Sequence, residues 1–193
     1  MRLLATVILV LVPSVCNAYI LPAADLLGRM SSHFQRIKTV QVSVTLEDVD
    51  GRLLQENLVT VPMRPGEEPA DRHDALLAGY LPYPFLTMDV KNLRSILPSL
   101  FAGDAGVRFT RLDSTVCYLV EGTGARLWIR KKDLYPLRAE VLTETGRWVT
   151  CLYLDPVHLT KRMVYPSRTE VRIEGNLEYI ERLSLSKPNA PSP

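Results

Sequence analysis

The sequence predicts an α+β protein, mainly antiparallel β: a curled, incomplete β-barrel of about nine or more strands with helices covering the concave face. Three observations predict it. An amphipathic helical pattern is followed by a period-two segment that folds back at Asp50-Gly51. From position 107 onward, strand-like runs follow one another with only short turns between them. A second amphipathic stripe precedes those runs and needs an apolar surface to cover.

Residues 1–18 read as a cleavable export signal, with Arg2, the apolar run 3–12, the helix breaker Pro13, and small residues at Cys16 and Ala18. The run is too short to cross a bilayer, which takes about 20 apolar residues. Val15 is too bulky to precede an acylated cysteine, so cleavage after Ala18 is expected rather than acylation at Cys16. A single domain is then expected over 19–186, with a disordered tail over 187–193, Lys-Pro-Asn-Ala-Pro-Ser-Pro.

The first helix places Ala23, Leu26, Leu27, Met30, Phe34 and Ile37 at spacings of three and four, with Pro22 at its start. Val40, Val42, Val44 and Leu46 then alternate with Gln41, Ser43, Thr45 and Glu47, and 53–61 supplies the return strand. A polar loop is expected over 67–74. The prolines of Leu81-Pro-Tyr-Pro-Phe85 exclude regular helix there. Leu93, Ile96, Leu97 and Leu100 form the second helical stripe, closed by Gly103, in a segment placed to act as a lid. The runs 107–112, 115–120, 126–131, 137–143, 147–154, 167–174 and 177–186 read as an antiparallel meander. Their turns include Asp113-Ser114, Asp133-Leu-Tyr-Pro136, Glu144-Thr-Gly146, Asp155-Pro156 and Gly175-Asn176.

Two of these strands are apolar on both faces. Run 147–154 carries Trp148, Leu152 and Leu154 on one side and Val149, Cys151 and Tyr153 on the other; run 126–131 opposes Leu127 and Ile129 to Trp128. A sheet wetted on one side does not need this. Either one face lies under helices and the other in an ordinary core, or the concave face and the helices enclose an apolar ligand cavity; which strand face points inward stays open because a one-residue slip reverses it.

Composition excludes several classes of function. The chain is 47% hydrophobic and 23% charged, an ordinary globular balance. Without Arg2 it holds 22 basic and 21 acidic residues, so the basic excess of a nucleic-acid binder is missing. No phosphate loop, nucleophile elbow or zinc-helix motif occurs. His33, His73 and His158 are not spaced as metal ligands, and Glu67, Glu68 and Asp71 lie in polar sequence with nothing to shift their pKa values. The expectation is no enzyme, no catalytic residues, no metal and no cofactor. Cys117 and Cys151 fall on strands three steps apart, about 14 Å, beyond the roughly 7 Å reach of a disulfide. They are expected to stay reduced.

The order of these elements resembles the LolA/LolB-like periplasmic lipoprotein carriers. The segments that carry the likeness are Phe34-Gln-Arg-Ile-Lys-Thr-Val-Gln-Val-Ser-Val, Asp50-Gly51, Val61-Pro-Met-Arg-Pro65, Leu127-Trp-Ile-Arg-Lys-Lys-Asp-Leu-Tyr-Pro-Leu-Arg138, Glu144-Thr-Gly146 and Tyr165-Pro-Ser-Arg168. The resemblance implies a periplasmic chaperone whose incomplete barrel encloses acyl chains of a lipoprotein or lipid beneath a helical lid. It implies an inner-membrane transporter and an outer-membrane acceptor as partners, and a monomer that does no covalent chemistry. It implies for Arg64 the role of anchoring the lid. Acyl-chain contacts then fall to Trp128, Leu137, Val141, Trp148 and Leu152 on the sheet and to Leu93, Ile96, Leu97 and Leu100 on the lid. The chain departs from the family after Arg64-Pro65, where Gly66-Glu-Glu-Pro-Ala-Asp replaces an aromatic-rich strand. That departure leaves a second reading: an envelope sensor module of the same fold that binds a protein partner.

Overall fold

A computed structural model describes residues 20–34, 40–61, 94, 98–158 and 164–185. The export signal, Arg64, the polar loop and the tail lie outside the described residues. So do Leu93, Ile96 and Leu97.

One helix opens the described chain: α1 (Ala23–Phe34). Pro22 serves at its start, because its carbonyl accepts from the Leu26 N–H at 3.0 Å while its own missing N–H would have no partner there. The expected stripe is the buried one, with Ala23, Leu26, Leu27 and Met30 all below a tenth exposed.

Nine strands follow: β1 (Val40–Asp48), β2 (Leu53–Val61), β3 (Gly106–Leu112), β4 (Thr115–Gly122), β5 (Ala125–Arg130), β6 (Pro136–Leu142), β7 (Trp148–His158), β8 (Val164–Ile173) and β9 (Asn176–Leu185). They form one sheet in the order β2-β1-β9-β8-β7-β6-β5-β4-β3, with all eight pairings antiparallel. The meander from β3 to β9 runs in sequence order. The first hairpin then docks through β1 onto β9, the last strand. Among the described residues β2 and β3 are the two edges, and the sheet does not close on itself. This is the incomplete barrel that the sequence predicts.

The turns form where the sequence places them. At Asp50-Gly51 the Asp48 carboxylate accepts from the N–H groups of Asp50 at 3.0 Å and Arg52 at 2.8 Å. Gly51 supplies the positive φ of 78° that this turn needs. Asp113 and Ser114 turn β3 into β4 with φ of 44° and 67°, the left-handed pair of a two-residue hairpin.

One expected turn is displaced. Asp155-Pro156 lies within β7, which continues to His158 and pairs there with Val164. Proline is tolerated because the ladder of β7 with β6 ends at Leu152 opposite Arg138, so beyond that point β7 bonds only to β8 among the described residues. The segment expected as a second helix lies only partly within the described residues; there Pro98–Phe101 forms a 3-10 turn, whose Leu100 is 1% exposed.

Candidate functional site

The side of the sheet that faces α1 follows from the cross-strand register, since directly paired residues point to the same face. Ala139 pairs with Leu127 on one side and Cys151 on the other, and Cys151 pairs with Val171. All four belong to one buried cluster, together with Leu26, Leu27 and Met30 of α1 and Leu100 of the 3-10 turn. The helix-covered face of β7 is therefore the one bearing Val149, Cys151 and Tyr153.

The residues expected to contact acyl chains divide between the two faces. Leu100, Leu137 and Val141 join the helix-covered cluster. Trp128, Trp148 and Leu152 point the other way: Trp128 pairs with Arg138, Arg138 with Leu152, and Leu142 with Trp148. The deciding feature is the pairing register, in which Leu127 meets Ala139 and Trp128 meets Arg138; Leu137 and Val141 share the phase of Ala139, and the bulge between Trp128 and Ile129 only brings Pro136 opposite Ile129. Alternation within each strand was legible in the sequence. The phase of one strand against the next was not.

The outer face is a lattice of charge and aromatic rings. Arg126 stacks on Trp148 at 5.2 Å and Arg138 on Trp128 at 5.1 Å. Arg126 donates through Nε to Glu121 at 2.7 Å and pairs with Glu140, which also receives Arg138. Glu170 receives Arg172 at 2.8 Å, and Glu47 receives Arg182 at 2.9 Å. These side chains keep the apolar surface of both tryptophans partly covered while their charged ends remain in water.

Two local devices shape the helix-covered face. The β5–β6 turn is tied by Arg130, which donates through Nε and Nη2 to the two oxygens of Asp133 at 2.8 and 2.7 Å. The Arg130 guanidinium also lies 4.9 Å from the centre of the Tyr135 ring, and Tyr135 donates its N–H to Asp133 at 3.3 Å. Partial burial acts to raise the Asp133 pKa, but the bonds from Arg130 outweigh it and hold the carboxyl below its usual value. The turn thereby fixes Tyr135 in the core at 2% exposure. The second device is Gly122. A Cβ there would meet the Ser99 carbonyl oxygen at 2.1 Å, so only glycine lets the 3-10 turn approach closely enough to bury Leu100.

Within this apolar face lies a polar row that sequence reasoning missed. Tyr153 of β7 pairs with Thr169 of β8, and Thr169 with Glu181 of β9. Thr169 is 1% and Glu181 3% exposed. Burial alone pushes the Glu181 pKa up to about 8, so the carboxyl is mostly protonated at neutral pH. Burial, with Glu181 as a smaller contributor, also raises the Cys151 thiol and the Tyr153 phenol. The signal was present in the sequence: Tyr153, Thr169, Glu181 and Cys151 occupy inward phases of their strands, visible once the register is known.

Cys117 and Cys151 are both buried, and neither is in a disulfide. They sit on β4 and β7, as expected, and also on opposite faces. Val120 shares the helix-covered face with Leu127, so Cys117, three residues earlier, points outward, and its Sγ lies 3.7 Å from the Thr110 carbonyl oxygen. Among the described residues no group of His, Cys, Asp and Glu is arranged to hold a metal ion. No helix among them is long and apolar enough to cross a membrane.

No protein-family profile matches the sequence, and no characterised protein matches it by sequence. Solved structures do resemble it. A LolA superfamily protein from Nitrosomonas europaea aligns at 13% identity with a TM-score of 0.45, over 88% of this chain and 96% of that one. A domain described as a putative outer-membrane lipoprotein-sorting protein from Vibrio parahaemolyticus aligns at 7% identity with a TM-score of 0.47, over 87% and 94%. A DUF1329 family protein from Desulfovibrio piger aligns at 13% identity with a TM-score of 0.49, over 84% and 90%.

Proposed function

We propose that the protein is a periplasmic carrier that binds the acyl chains of lipoproteins or lipids for transfer toward the outer membrane. The observation that supports this reading is the sheet's asymmetry: one continuous apolar face under α1 and the 3-10 turn, with Val44, Leu127, Ile129, Val149 and Val171 all buried there, against an outer face laced with ion pairs. Shielding an acyl chain from water stabilises the complex by about 0.8 kcal/mol per methylene, so such a face is a sufficient driving force for carriage. The sequence resemblance adds the order of elements and the export signal over 1–18, with 19–186 as the binding domain. In this reading the protein acts as a monomer, receiving cargo from an inner-membrane transporter and passing it to an outer-membrane acceptor. Leu100, Leu137 and Val141 contact the chains, Leu93, Ile96 and Leu97 continue that surface, and Arg64 anchors the lid.

The test is native mass spectrometry of the protein purified gently from the periplasm, followed by lipid extraction. A stoichiometric diacyl or triacyl species is expected; a clean apo mass with no uptake of added acylated peptide would sink the carrier reading. Arg64→Leu is expected to let lipid load but impair its release, and unchanged transfer removes Arg64 from the mechanism.

A second reading, a sensor module with a protein partner, is favoured by the outer face. Trp128 and Trp148 beneath Arg138 and Arg126 are residue types that concentrate binding energy at protein interfaces. An apo mass together with a partner captured only when both tryptophans are intact would favour it.

A further inference from the structure

We propose that the row Tyr153–Thr169–Glu181, with Tyr135 beside it, is the polar subsite of the helix-covered face, holding the ester or amide linkage of an acylated ligand. The inference rests on the carrier reading above and names which part of the ligand the face recognises.

The row crosses three adjacent strands by direct pairing, which brings neighbouring side chains to about 5 Å of one another. It is bounded by Leu46 of β1, which pairs with Glu181, and by Val171 and Leu183 in the rows beside it. A carboxyl in such surroundings needs either a cation or a hydrogen-bonding partner. Among the described residues it has no cation. Arg168, Arg172 and Arg182 alternate with the inward residues of β8 and β9, point to the outer face, and pair there with Asp155, Glu170 and Glu47. Among the described residues the titratable groups that act on or with Glu181 are Cys151 and Tyr153, with Tyr135 acting on Tyr153 in turn. Of the described side chains of α1, Ala23, Leu26, Leu27 and Met30 enter the cluster, while Asp25 and Arg29 are exposed.

A second observation points the same way. The Tyr135 hydroxyl is inaccessible to solvent and has no hydrogen-bond partner among the described residues. The β5–β6 turn holds that ring in place with a two-pronged ion pair, so the orphan hydroxyl is fixed rather than free to swing toward water.

The group these donors suit is neutral. Neutral Glu181, Thr169 and the Tyr135 phenol offer O–H donors to an oxygen acceptor, and the carbonyl of an acyl ester or amide is the acceptor that sits at the end of an acyl chain. Without such donors a carbonyl drawn into a dry cavity would be left unsatisfied.

The experiment compares methyl dodecanoate with tridecane, probes of similar length that differ in the ester, as displacers of bound N-phenyl-1-naphthylamine. The wild-type protein is expected to prefer the ester by about tenfold, the effect of roughly one net hydrogen bond in a dry site. Glu181→Gln, whose amide still donates, is expected to keep the preference, and Glu181→Leu to lose most of it while binding tridecane normally. Raising pH through about 8 should weaken ester binding in the wild type and not in Glu181→Gln. Equal binding of the two probes by the wild type, or an unchanged preference in Glu181→Leu, overturns the subsite while leaving the carrier reading intact. Should Glu181→Leu fail to fold, the pH series on the wild type and Glu181→Gln decides: identical profiles overturn the proposal. Binding of neither probe overturns the carrier reading and the subsite with it.

Discussion

At the scale of single residues, Glu181 makes stability depend on pH. Its pKa is near 4.5 in the unfolded chain and about 8 in the folded one, so the folded state binds the extra proton between those values. Stability is therefore greatest below about pH 4.5 as far as this group is concerned, and falls as pH rises through 8, by a few kcal/mol in order of magnitude. Glu181→Gln should flatten that slope and be the more stable protein at pH 8.5, measured by urea midpoints across the pH range. Asp133 gives the opposite test. Its carboxyl organises the β5–β6 turn, and Asp133→Ala should lower stability by about 1–2 kcal/mol and disturb the near-ultraviolet signal of Tyr135, whereas a loss below a few tenths would show that the turn holds without it. At Gly122, an added methyl runs into the Ser99 carbonyl. Gly122→Ala should cost about 1–3 kcal/mol and raise amide exchange at Leu100 and Phe101, which a tolerant site would not do.

At the scale of elements, α1 is held by packing. Its length, 12 residues, is marginal for an isolated helix in water, so the buried stripe decides whether it forms. Leu26 and Met30 are both fully buried beneath it. Leu26→Ala should therefore lower stability by about 2–5 kcal/mol, while an exposed position such as Asp25→Ala should change little. Denaturant midpoints for the two variants separate a docked helix from a frayed one. The β strands show the complementary logic: β5 alternates buried Ala125, Leu127 and Ile129 with half-buried Arg126, Trp128 and Arg130, a two-faced strand by composition as well as position.

At the scale of the whole molecule, nine strands in one open sheet leave stability to the helix-covered core rather than to covalent staples. Cys117 and Cys151 are not joined in a disulfide and lie on strands three steps apart and on opposite faces. Dithiothreitol should leave the Tm of the oxidised protein unchanged within error; a fall of several degrees would mean a bridge that this topology forbids. The sheet's outer face is balanced by ion pairs such as Arg172–Glu170, and its helix-covered face is apolar except for one row.

The sequence by itself determined what depends on local chemistry. The spacing of Leu26, Leu27 and Met30 decided the helix; the alternation from Val40 to Glu47 and the glycine at position 51 decided the first hairpin; and short polar turns decided the meander. It also placed the two cysteines too far apart to bridge. The tertiary structure alone decided what depends on the phase of one strand against another. The registers of β6 against β5 and β7 set Leu137 and Val141 under the helix while Trp128, Trp148 and Leu152 face out. The registers of β8 against β7 and β9 carry Tyr153, Thr169 and Glu181, from three separate strands, into one buried row. Pairing energy is shared by distant residues, so no local segment contains that information, and a shift of one residue would have put every one of those side chains into water.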